Sequence, residues 1–195
     1  FSETPKAEYA AHLEAIATTC KDSFVNTFLN NYGYLYDYVD GNMIDWSVRP
    51  NMIMAAAPDY SPLDQVQKRN VIDICTRELL TPKGLRSLSP KSGGYTPICV
   101  GDKEYRTRVY HQGTAWPWLG CFYLEACLKL YKRTRLSFVE RQLIGYEDEV
   151  VNHCLGTIPE FFDGNPPFNG RGAISFAMNV GGVLRTLALL EKYKY

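Results

Sequence analysis

From Pro5 to about residue 30, apolar residues recur at helical spacing. Tyr9, Leu13, Ile16, Ala17, Cys20, Phe24 and Phe28 share one side and polar residues hold the other, which predicts an amphipathic helix. Thr4 before Pro5 forms a cap and first-turn pair, and Asn30, Asn31 and Gly33 mark the end. A second such pattern is capped by Ser61, starts at Pro62 and runs to about Leu80, with Leu63, Val66, Val71, Ile74, Cys75 and Leu79 on one side. A third, more polar, runs from Ser137 to Leu155. Between them stand Met52 to Pro58, Trp116 to about Tyr131, and the first half of Gly172 to Tyr193, all apolar or small on nearly every face. A helix of that kind is enclosed by neighbours.

One pattern therefore occurs three times, over residues 5 to 58, 62 to 131 and 136 to 193: an amphipathic helix, a long polar and aromatic loop, then an enclosed helix. The units repeat in pattern, not in letters. This alternation is what an all-α toroid of helical hairpins requires, with enclosed helices inside and amphipathic ones outside. The three long loops then share one rim, and the short turn at Lys132 to Leu136 lies at the other end. Residues 34 to 51 read as loop with a short hairpin at Gly41, and residues 81 to 110 as irregular. Three hairpins are half of a six-hairpin toroid, so residues 1 to 195 are expected to form a single domain that is part of a larger one.

Composition narrows the ligand. The 195 residues balance 21 basic against 21 acidic side chains, which speaks against a nucleic-acid groove or an anionic membrane and for a neutral partner. Aromatics make up 13% and gather in Gly/Pro-rich stretches, a placement that suits stacking on sugar rings and suits a helical core equally well. The six cysteines form no CxxC, and His153 beside Cys154 has no second ligand pair at metal spacing. Buried free thiols in a reducing compartment, and no metal or cofactor, are the expectation. No apolar run reaches the ~18 residues of a membrane span, no signal-peptide pattern opens the chain, and a cytoplasmic location is expected. A chain that starts at Phe1 is expected to be a mature form or a piece of something longer.

Each long loop carries candidate chemistry. In the first, Asp45, Trp46, Arg49 and Asn51 precede an enclosed helix; Arg49 pairs with Asp45 or Asp40, as a loop-fixing bridge or toward a ligand. In the second, Arg106, Arg108, Tyr110, His111 and Gln112 precede Gly113, Trp116 and Trp118; Gly113 permits close backbone approach, and the indoles offer stacking faces. In the third, Glu160 stands between Pro159 and Phe161, and Asp163 opens a turn in which its side chain is expected to bond local amides. There is no phosphate loop and no nucleophile elbow. Acid/base work by carboxylates remains.

The strings LLTPKGLRSLSP, YHQGTAWPWLG, IPEFFDGNPPFNGRGAIS, GYLYDYVDG and DWSVRPNM closely resemble the C-terminal amylo-α-1,6-glucosidase domain of glycogen debranching enzymes. The resemblance covers almost the whole chain. It implies the C-terminal part of an (α/α)6 toroid related to glucoamylases, which hydrolyses α-1,6-linked glucose at glycogen branch stubs with inversion. By position in the motif, Glu160 matches the general base. Arg49, His111, Gln112, Trp116, Trp118, Asp163 and Arg171 would bind substrate. The family's general acid is an aspartate upstream of anything resembling Phe1, so this chain alone is expected to be inactive and to work within a parent enzyme. Half a toroid would also expose apolar helix sides, and either self-association or rearranged packing is expected. The alternatives are a non-catalytic glucan-binding or interaction module on the same toroid, and a toroid glycosidase for another α-glucoside. The chain departs from the usual strings at Met52, at Phe176 to Asn179, where members read Gln-Ala-Trp-Ser, and at Gly182, usually a glutamate.

Overall fold

The computed structural model describes residues 5–194. Helices dominate it. Helix α1 spans Pro5–Phe28, and a one-turn 3-10 segment, Pro50–Met52, leads into α2, Ile53–Ala56. Then come α3 (Gln65–Glu78), α4 (Lys103–Val109), α5 (Pro117–Tyr131), α6 (Leu136–Ile144) and α7 (Ala177–Lys194). Helix α5 sits at the centre and touches α2, α3, α6 and α7. Ten of its residues are buried, from Pro117 to Leu128, as its predominantly apolar sequence requires.

Several boundaries differ from the sequence expectation, each for a local reason. The second amphipathic helix is capped by Asp64, not Ser61. Asp64 Oδ1 accepts from Gln67 N at 2.8 Å and Gln67 Oε1 accepts from Asp64 N at 2.9 Å, a reciprocal box that satisfies two orphan donors. Ser61 instead donates to Ala55 O and accepts from Leu63 N. The helix expected from Ser137 to Leu155 stops at Ile144; Gly145 follows, where a Cβ would crowd the Pro82 carbonyl, and a π turn runs over Glu149–His153. Residues 81 to 110 are less irregular than expected: they hold α4, capped by Asp102 through Tyr105 N at 2.7 Å. Thr4, the expected first cap, lies outside the described residues.

Short strands knit the loops together. Beyond the hairpin β1–β2 (Val39–Asp40 and Met43–Ile44), five strands pair antiparallel in chain order. They are β3 (Leu80–Thr81), β4 (Gly84–Arg86), β5 (Ala115–Trp116), β6 (Phe161–Phe162) and β7 (Gly170–Arg171). The register sets Leu85 opposite Trp116, Ala115 opposite Phe162 and Phe161 opposite Arg171. The second and third loops therefore lie side by side above the helices, as the shared rim requires.

Not every enclosed helix is enclosed. On α7 only Asn179, Thr186 and Leu190 are buried, and Met178 and Leu184 are more than half exposed. The expected burial on all sides is therefore absent, since α5 and α6 cover one side only. Most of α1 is likewise exposed up to Ser23, and it anchors through Phe24, Val25 and Phe28. Five cysteines are buried and free, whereas Cys20 is exposed. Among the described residues no helix is long and apolar enough to cross a membrane.

Glu125 is a charge placed inside this helical layer. It is 2% exposed on α5, clasped by Arg185 at 2.7 and 2.8 Å and by Lys129 at 2.6 Å. Burial alone would push its carboxyl up, but the two cations outweigh burial and hold it below the ordinary glutamate range. A carboxyl lowered in the folded state contributes stability above its unfolded value, and that contribution is lost as pH falls through the folded one. Urea unfolding followed from roughly pH 6 down to pH 3 should therefore show less acid loss of stability in Glu125→Gln than in the wild type. Parallel curves would show that the clasp carries no proton linkage.

Candidate active site

Glu160 stands just before β6, half-buried, with its backbone and carboxylate both fixed. Its N–H donates to Ala173 O at 2.8 Å, and Ala173 N donates back to Oε2 at 2.9 Å. The Tyr110 hydroxyl donates a short hydrogen bond to Oε1. Burial first, then this bond and the Glu160 charge, push the Tyr110 phenol well above its ordinary value, so it stays a neutral donor. The peptide carrying Glu160 is gripped from beneath by Asn179 of α7, which is fully buried. Its amide donates to Pro159 O at 2.6 Å and Glu160 O at 2.8 Å, while its oxygen accepts from Trp118 N at 3.0 Å. One side chain thus closes two loop carbonyls and an orphan donor in the first turn of α5.

Gly172 completes the frame. Its φ is +72°, and a Cβ there would overlap Glu160 Oε2 and stand 2.8 Å from Phe161 Cε1, so a side chain at this position would both strain the backbone and displace the carboxylate.

Aromatic rings form the wall behind the carboxylate. His111 stacks on Trp116 at 5.1 Å and Trp116 on Phe161 at 5.1 Å, with Tyr110 edge-on to all three. Both faces of Trp116 are therefore covered and it is 4% exposed, so the expected stacking face is already occupied by protein. Desolvation, then the Arg49 guanidinium, lower the His111 pKa and favour a neutral imidazole.

The other candidates separate into two cavities. The larger, about 770 Å³, is lined by Glu160, Tyr110, Arg171, Phe161 and, from α4, Lys103 and Arg106. Among the described residues lining it, Glu160 is the single carboxylate. A smaller one, about 350 Å³, is lined by Arg49, His111, Trp116 and Trp118 together with Asp37 and Asn51. Arg49 approaches Asp37 and Asp45 only at 3.8 and 3.9 Å, and Asp40 is not its partner. Its short bonds go to Ser87 O at 3.1 Å, His111 O at 2.8 Å and Gln112 Oε1 at 3.1 Å, which ties the first loop to the second. Gln112 is committed to that tie.

Asp163 does not bond local amides. It is 2% exposed, holds Arg171 through contacts of 2.7 and 3.1 Å, and accepts from the distant Cys99 N at 3.4 Å. Hydrogen bonding to Asp163 raises the Arg171 pKa further. Gly113 does allow close approach, but to the Tyr95 ring. The sequence named Tyr110 among the second loop's candidates and Asn179 within a departure from the usual strings, but gave neither a role at the site. An amide in the first turn of a helix whose first half is otherwise apolar or small was the signal for Asn179.

The profile of the amylo-α-1,6-glucosidase family matches residues 2–185. The chain belongs to that family. Among solved structures, the neutral trehalase Nth1 from Saccharomyces cerevisiae is similar, with 14% identity and a TM-score of 0.64. The match covers 90% of this chain and 30% of that one, so the chain spans under a third of its structural relative. Comparison with curated protein sequences finds no match. The likeness supports the fold: an all-α part of an (α/α)6 toroid, about three helical hairpins, in a glycosidase-type domain of the amylo-α-1,6-glucosidase family. Within this family member, Asn179 falls at one of the departures noted in the sequence. Gly182 falls at another, where a Cβ would stand 3.2 Å from Cys121 and so marks the close approach of α5 and α7.

Proposed function

We propose that this chain supplies the general base of an inverting α-glucosidase that hydrolyses α-1,6-linked glucose at branch stubs of glycogen or a related α-glucan, and that Glu160 is that base. One observation carries the reading: a carboxylate held on both oxygens by neutral donors, at the wall of a cavity of about 770 Å³ that no other described carboxylate lines. Neutral donors orient the carboxylate without neutralising it, which suits a group that must take a proton.

In the reaction, water attacks the anomeric carbon from the face opposite the leaving oxygen, and its proton passes to Glu160. A carboxylic acid across the ring protonates the departing glycosidic oxygen, and inversion requires the pair to stand ~6.5 to 9.5 Å apart. Asp163 is occupied by Arg171 and cannot serve. The acid would come from the rest of a parent enzyme, whose remaining hairpins would cover the exposed side of α7, so this chain alone would be inactive. Lys103, Arg106 and Arg171 offer donors for sugar hydroxyls around the base.

The test is chemical. The full-length protein is given a branched limit dextrin, maltose and trehalose, and the anomer first released is followed by NMR. The proposal expects β-glucose from the dextrin at the highest kcat/KM. Initial release of α-glucose would refute inversion, and preference for maltose or trehalose would refute the α-1,6 assignment.

A further inference from the structure

A third cavity, of about 600 Å³, lies between the first loop, α3 and the turn at Ser89 to Ser92. None of its lining residues lines either cavity around Glu160 and His111. Its walls are aromatic. Trp46 is 47% exposed and Tyr32 78%, and the two rings meet edge-on at 6.2 Å. Scattered exposed rings are ordinary in a soluble protein; two large ones side by side over a cavity are not.

The rings are also fixed in advance. Tyr36 braces the Trp46 indole edge-on at 4.6 Å, and the Tyr34 hydroxyl donates to Trp46 O at 3.2 Å. The turn beneath Trp46 is pinned by Ser47 N donating to Asp45 Oδ1 at 2.8 Å. Under Tyr32, the Asn30 side chain accepts from Tyr32 N at 2.9 Å and Tyr34 N at 3.3 Å. A pre-ordered aromatic surface loses little freedom when a ligand arrives.

Charge selects the ligand class. The lining acids Asp73 and Glu78 are matched by Arg77 and Lys91, and Glu78 bonds Lys91 at 2.7 Å and Arg77 at 3.1 Å. Neither an anion nor a cation gains from such a floor, whereas a neutral polyol can use its many donors and acceptors. Aromatic faces over a balanced polar floor are the chemistry that recognises a carbohydrate chain.

We propose that Trp46 and Tyr32 form a platform for a neutral α-glucan chain outside the catalytic cavity, a reading that rests on the α-glucoside function proposed above. Three residues beyond Trp46, Arg49 reaches the wall at His111, so the platform and the catalytic side share one loop. A stub would enter the cavity while the parent chain lies across the platform.

The experiment uses the full-length protein and the variants Trp46→Ala, Tyr32→Ala and the double variant, with far-UV circular dichroism melts to confirm the fold. Retardation in gels containing glycogen gives a dissociation constant; kcat/KM is measured on a short α-1,6-linked disaccharide too small to reach the platform. The double variant should bind glycogen about tenfold more weakly with unchanged kcat/KM on the disaccharide, and Trp46→Tyr should recover part of the binding. Glycogen retardation equal to wild type would overturn the platform and leave the Glu160 assignment standing, as would a surface that serves a protein partner. Equal losses on glycogen and the disaccharide would also overturn it, by showing that the loop had merely shifted. A wild type that neither binds glycogen nor cleaves the disaccharide would overturn the underlying α-glucoside reading instead.

Discussion

Glu160→Gln is expected to lower kcat by roughly 10²- to 10⁴-fold, the usual weight of a general base, while KM stays within a few-fold. The substitution is close to isosteric, and the surroundings tolerate it. The new amide oxygen can accept from Ala173 N, and the Tyr110 hydroxyl can rotate to accept from the new NH2 in place of donating to Oε1. The frame made by Asn179 and Gly172 is untouched, so substrate binding should persist. What is lost is the proton acceptor. Such a split, kcat without KM, marks an interaction made in the transition state. Steady-state kinetics of the full-length variant on a branched limit dextrin provide the check, and near-normal turnover would remove Glu160 from the role.

Asn179→Leu is expected to act twice. It keeps the volume and removes every polar atom, leaving Pro159 O, Glu160 O and Trp118 N without the partner they have now. An unsatisfied buried group costs about 1–3 kcal/mol, so urea denaturation should show a loss of about 3 kcal/mol or more. Because two of the three groups belong to the peptide that carries the base, kcat should also fall about tenfold or more, with a smaller change in KM. Asn179→Asp is the harsher change: it retains an acceptor for Trp118 N but sets a buried carboxylate oxygen against the two carbonyls, and should lose both stability and activity. If Asn179→Leu were destabilised yet kept full kcat, the loop would hold its own shape and Asn179 would be structural only.

Much of this molecule was legible in its letters, and the reasons differ by element. The enclosed helix α5 could be read because Trp116 to Tyr131 is apolar on nearly every face, Glu125 and Lys129 excepted, and burial by neighbours is the environment that permits this. Glu160 stood out because a carboxylate between proline and phenylalanine is a poor surface charge, and the family resemblance then suggested its role. The five-strand ladder was invisible: strands of two or three residues carry no alternation to detect, and two of their pairings join residues far apart in the chain, as between Leu85 and Trp116 and between Ala115 and Phe162. The partners of Arg49 were legible in part. Charge pointed to Asp45, which it meets at 3.9 Å, whereas its shorter bonds go to carbonyls and an amide that only the fold brings near. Trp116 was misjudged as a stacking face because sequence shows an indole without showing what covers it.

The ladder from Leu80 to Arg171 has a consequence for how the site comes into being. Two of its rungs, β4–β5 and β5–β6, join segments distant along the chain, whereas each helix beneath forms from neighbours. Contacts of long sequence separation carry the larger loop-closure cost and form after local ones have reduced it. Helix α7 must therefore be seated before Asn179 can grip the Glu160 peptide. The base is expected to lose its geometry with the first release of α7, since Asn179 grips the Glu160 peptide only from that helix.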